Sequence, residues 1–253
     1  MLKRILYTAM IAGLISGLIL SVMQHILVVP SILAAETYEE EAEQIEAAPV
    51  SPLEVVKIEN LSEEHEDGVE WTPENGLERT LYTSGSNILY AISFGLMIAG
   101  GLSLRPVRKW WQGGIAWGLS GLTVFYLAPA YFYSPTLPGT IEAALLLRQL
   151  WWIASIECGI IGLSMIFFTS NWITRFLGML LFSLPYLVGA PPGDIKIFVP
   201  QALLDDFLIA NLVTTTVYWV LLGMLTAYFF EKLAKHSAVT VDVNSLTHGE
   251  ASL

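Results

Sequence analysis

Charge is what this sequence has least of. Only 14% of its 253 residues are charged while 54% are hydrophobic, against about 25% charged in an ordinary soluble domain. A surface this poor in charge points to lipid as the solvent. Cysteine is nearly absent too. The single Cys158 excludes an internal disulfide framework and any cysteine-rich metal site. There is no Gly-rich loop followed by Lys and Ser or Thr, which excludes nucleotide hydrolysis by that route. His-Glu-x-x-His and Gly-x-Ser-x-Gly are missing as well, which argues against an intramembrane protease or hydrolase. The expectation is a protein that is not an enzyme.

Negative charge is concentrated in one place. Of the 23 acids, 15 lie between Pro30 and Thr83, beside only Lys57 and Arg79. The rest of the chain is slightly basic, so the overall −11 describes one solvated, cation-attracting loop. It argues against nucleic acid as a partner.

The hydrophobic residues fall into six runs of about the 20 residues a helix needs to cross ~30 Å of hydrocarbon. They cover 5–29, 86–104, 113–133, 150–169, 176–188 and 207–230. The fifth is short and carries Pro185. The expected fold is therefore all-α: a single integral membrane domain, 1–253, forming a polytopic bundle of about six spans. The acidic loop is 30–83 and a polar, loose tail is 236–253. Acids at Glu36, Glu39, Glu40 and Glu43 share one helical face, so the first helix is expected to continue beyond the bilayer.

Short cytoplasmic loops retain Lys and Arg. Lys3, Arg4, Arg105, Arg108, Lys109, Arg175, Lys232 and Lys235 all fall on one side of six spans, whereas omitting the fifth would put Lys232 and Lys235 outside. This gives a multi-pass protein of the inner membrane with both termini cytoplasmic. A cleaved signal peptide ending near Ala35 is the rival reading. Its apolar core would be about twice the usual length, and it would carry Gln24 and His25.

Ionisable groups inside spans are costly and so become functional candidates, weighed against helix-packing glue. Gln24 and His25 lie ~6–8 Å below the outer end of the first span at 1.5 Å per residue, and imidazole is a common ligand of divalent transition metals. Glu157 lies ~10 Å deep in the fourth span, either protonated, paired across helices, or acting as ligand or proton acceptor. Arg148 and Gln149 open that span. Snorkelling explains the arginine, and pairing with Glu142 or with loop acids is the alternative. Asp205 and Asp206 suit a helix start. Gly13 with Gly17, and Gly114 with Gly118, have the spacing of close helix contacts.

Several blocks also resemble a known family. QHILVVPSILAAETYEE at 24–40, LAPAYFYSPTLPG at 127–139, RQLWW at 148–152, LPYLVGAPPGD at 184–194 and VYWVLLG at 217–223 are similar, in order and spacing, to CbtA, the predicted cobalt transporter subunits. Tyr131 to Ser134 departs from the expected Gly-Leu-Pro-Pro type of turn, and the acidic loop is long. The resemblance implies uptake of cobalt as a transported ion, with no permanently bound cofactor, in support of cobalamin synthesis. It also implies a small histidine-containing companion subunit of the CbtB type. In this reading Glu36, Glu39 and Glu40 gather the metal, Gln24 and His25 receive it, and Glu157 acts deeper. A membrane scaffold or sensor that assembles with a separate transporter is the alternative.

Overall fold

The computed structural model describes residues 1–46, 73, 76–105, 107–138, 140, 145–191 and 199–249, with backbone only at 39–46 and 236–249. Every regular element among the described residues is helical. Helix α1 (Leu2–Leu27) is followed after one residue by α2 (Val29–Glu46). The chain barely pauses there, since Val28 still donates to the Gln24 carbonyl at 2.9 Å. Pro30 sits in the first turn of α2, where a missing N–H is tolerated. This is the expected continuation of the first helix, and its acidic side chains from Glu39 onward lie outside the described residues.

Helix α3 (Leu77–Leu104) opens at Gly76, whose φ of +113° suits a residue without a Cβ. It closes at Arg105, extended at φ −135° because the next residue in sequence is Pro106. Helix α4 (Trp110–Leu122) runs into a π-helical turn, Thr123–Leu127, and a last α-turn, Ala128–Ala130. Helices α5 (Leu145–Phe168) and α6 (Trp172–Val188) form an antiparallel pair. Asn171 caps α6 by accepting from Ile173 N at 3.0 Å. Helix α7 (Gln201–Gly249) closes the bundle and continues through residues expected to form a loose tail.

Among the described residues, four helices are long and apolar enough to cross a membrane: Leu2–Leu27, Leu77–Leu104, Leu145–Phe168 and Gln201–Lys235. This corrects the expectation of about six spans. The third expected span is divided into three pieces of helix. Pro129 has no N–H for the Phe125 carbonyl, and its ring crowds that turn, so the backbone widens into a π-turn just before it. The fifth expected span lies within the 17 residues of α6, ~25 Å at 1.5 Å per residue, short of the ~30 Å hydrocarbon layer. Pro185 occupies its last turn. Apolarity identified both segments as helical but could not tell whether each is one long helix.

Packing gives the bundle two chemically different ends. Helices α1 and α3 are antiparallel: a Cβ on Gly13 would meet Ile92 Cα at 2.6 Å, and one on Gly17 would meet Ile88 Cα at 2.7 Å. Gly114 and Gly118 of α4 likewise lie on the backbone of α7 at Gly223 and Trp219. Both glycine pairs expected from spacing therefore form close contacts. At one end Arg4 lies 3.6 Å over the Phe230 ring, Lys232 lies 5.5 Å over Tyr228, and Arg105 donates to the Phe167 carbonyl. The opposite end holds Gln24, Asn87, Glu36 and the start of α7, with a small apolar cluster of Val28, Ala35, Leu137, Val199 and Phe207.

Candidate functional site

The end opposite the cations carries the clearest polar constellation. Asn87, in the third turn of α3, donates through Nδ2 to Gln24 Oε1 at 2.6 Å and to Ser21 Oγ at 3.2 Å. Ser21 donates in turn to the Gly17 carbonyl at 2.9 Å. The network forms because Gly17 lets α3 approach α1 at backbone distance, which brings two short polar side chains together in a medium that offers no water. Gln24 is thus hydrogen-bonded at this end, with Asn87 and Ser21 as neighbours that sequence reasoning missed. A search confined to ionisable side chains passes over an asparagine. Its position one residue into the apolar run 86–104 was the available signal.

His25 is exposed and does not join that network. One residue turns a helix by about 100°, so it points away from the α1–α3 contact. Glu36 is half-buried and paired with Arg79, at 2.6 Å and 3.2 Å through two guanidinium nitrogens. That fork ties α2 to the first turn of α3, and a metal ion would have to compete with Arg79 for the carboxylate. The side chains of Glu39 and Glu40 lie outside the described residues, as does Glu142, offered as a partner for Arg148. Arg148 is half-buried in the first turn of α5, and Gln149 beside it is exposed. Asp205 accepts from Gln201 Nε2 at 2.8 Å. Among the described residues, no group of three His, Cys, Asp or Glu side chains converges as a metal site.

Beneath the Gln24–Asn87 network, the interior of α1, α3 and α7 contains a line of polar side chains. Thr214, Tyr218 and Thr226 of α7 and Thr8 of α1 are at most 2% exposed. Their hydroxyl oxygens have no hydrogen-bond partner among the described residues. Thr214 and Tyr218, four residues apart, share one face of α7, while Thr226 lies roughly 120° further round the helix than Thr214. Tyr90 of α3 meets Tyr218 with ring centroids 5.7 Å apart. At the cationic end, Arg4 Nε is also buried without a hydrogen-bond partner among the described residues. Buried polar atoms are nearly always satisfied in native proteins, which sets these hydroxyls apart from the other buried side chains. Glu157 is not part of this line. It is exposed on the outside of α5, in a stripe with Leu150, Ile153, Ile160 and Ile161.

A family model described as Probable cobalt transporter subunit (CbtA) matches residues 2–231. No curated protein and no solved structure matches.

Proposed function

Because the chain belongs to the CbtA family, a membrane-embedded transporter subunit and not an enzyme, we propose that it carries divalent cobalt inward across the inner membrane in support of cobalamin synthesis. The observation that carries this reading is the family match over residues 2–231. The row of buried hydroxyls below the Gln24–Asn87 network supports it physically. The acidic segment concentrates the cation at the outer face. Glu36, Glu39, Glu40 and the exposed His25 collect it, and Gln24 with Asn87 pass it to the hydroxyl line. Neutral oxygen ligands hold a divalent ion weakly enough to release it, as conduction requires. The cations gathered at one end with Arg4 and Lys232 support an orientation with that end, and both termini, in the cytoplasm.

Glu157 has a different role in this reading. A carboxyl group in the middle of a lipid-facing helix is costly, and the exposed stripe around it is where a companion subunit of the CbtB type docks and supplies a hydrogen-bond donor. Cobalt accumulation by cells expressing the chain tests the assignment. Asn87→Leu and His25→Ala are each expected to lower uptake at unchanged protein level, whereas normal uptake in both variants would remove the outer site from the route.

The absence of a three-ligand cluster among the described residues favours one rival, a scaffold that assembles with a separate transporter and moves nothing itself. A scaffold would leave vesicles containing this chain no more permeable to cobalt than empty lipid.

A further inference from the structure

At the cationic end, α3, α4 and α5 leave between them a crevice of about 820 Å³. Its walls are apolar side chains, among them Leu104, Trp117, Leu163 and Phe167. Gln112, Ser120 and Ser164 are the polar exceptions, and the Ser120 hydroxyl is already spent on the Ala116 carbonyl at 2.8 Å. One rim is different: Arg105, Arg108 and Lys109, in the turn between α3 and α4, all border the opening. We propose that this crevice binds an anionic diacyl phospholipid, with the phosphate at the rim and acyl chain along the walls.

Three features select that occupant. First, a divalent metal ion is rejected twice, by apolar walls that cannot replace its hydration shell and by three positive charges at the mouth. Second, the charges call for an anion. Arg105 is committed in part, donating to the Phe167 carbonyl and lying 5.4 Å from the Phe168 ring, so it fastens the end of α3 to the end of α5. Arg108 and Lys109 are exposed and have no ion pair among the described residues. Lys109 also stands at the N-cap position of α4, where the helix dipole adds positive potential. Third, the site is divided along its length, cationic at the end and apolar along the helices. That is the polarity of a lipid with a negative headgroup, and basic pockets between transmembrane helices bind such headgroups.

The full chain purified in mild detergent provides the test, with copurifying lipid quantified by extraction and native mass spectrometry. Phosphatidylglycerol is expected to be retained in preference to phosphatidylcholine. The double variant Arg108→Gln/Lys109→Gln should weaken that retention by about tenfold or more, each surface cation being worth roughly fivefold. Both residues are exposed, so folding is not expected to suffer. Leu163→Trp, which keeps the charges and fills the crevice, should weaken retention as well. Glycerol 3-phosphate should not displace the lipid. Retention that ignores headgroup charge, or that survives the double variant, would overturn the proposal. So would displacement by glycerol 3-phosphate, which would mean a free-phosphate site, or a copurifying protein helix seated there in place of lipid.

Discussion

Helix α3 borders two seams that differ in almost every respect. Against α1 it is packed at backbone distance across Gly13 and Gly17, and the interior it shares with α1 and α7 sets a few polar groups, Asn87 with Gln24 and the hydroxyls of Thr214, Tyr218 and Thr226, among apolar side chains such as Leu20, Ile98 and Leu222. Against α4 and α5 it leaves an open crevice whose walls are apolar and whose charges stand at the rim. A bundle in lipid has no hydrophobic reason to close one seam over the other, because lipid tails satisfy apolar walls as well as side chains do. The seam that closes is the one with small residues at the contact and the Asn87 hydrogen bonds to Gln24 and Ser21 across it. The seam that stays open is the one lipid can fill.

Breaking the closed seam should give the largest effect. Gly13→Val places a side chain where even a Cβ would overlap Ile92, and a loss of about 3 kcal/mol or more is expected from such overpacking. Thermal denaturation in detergent reads this directly. Gly100, in the same α3 but with nothing within 4 Å of its would-be Cβ, serves as the control at the opposite extreme.

Glu157 sharpens the comparison from outside both seams. Replacing it by leucine should stabilise the isolated chain in nanodiscs by about 2 kcal/mol, since a midplane carboxyl is removed from lipid. The same variant should lower cobalt uptake in cells that supply the companion subunit. Destabilisation of the isolated chain would mean that Glu157 is already satisfied within it.

Smaller changes are expected at the polar end. Asn87→Ala deprives Gln24 and Ser21 of a donor and should cost about 1 kcal/mol, in the range measured for interhelical hydrogen bonds in membranes. Arg79→Gln breaks a pair whose side chains are 34% and 28% exposed, so no more than about 1 kcal/mol is at stake. A double-mutant cycle with Glu36→Gln isolates that coupling. Gly100→Ala should change stability least, by a gain of under about 1 kcal/mol from better helix propensity.

Much of the architecture was legible in the residues. Hydropathy found the apolar helices, and the four-residue spacing of Gly13 with Gly17 and Gly114 with Gly118 marked contacts that do form. The span count was not legible, because a hydropathy window measures apolarity and is blind to hydrogen-bond continuity. The π-turn before Pro129 and the shortness of α6 are facts of backbone geometry. The site was only half legible for a related reason. Gln24 was visible as a polar residue in an apolar run, but its partner Asn87 is 63 residues away. The fork between Glu36 and Arg79 spans 43 residues. Such pairings depend on which helix lies beside which, and a glycine on one helix does not name its neighbour.

The most direct test of the route through the closed seam is cobalt flux into lipid vesicles containing the chain, followed by an enclosed metal-quenched dye. Flux above that of empty lipid, reduced by Asn87→Leu and untouched by Arg108→Gln/Lys109→Gln in anionic lipid, is the expected result. Flux no greater than that of empty lipid, or flux indifferent to Asn87, would contradict a transport path between α1, α3 and α7.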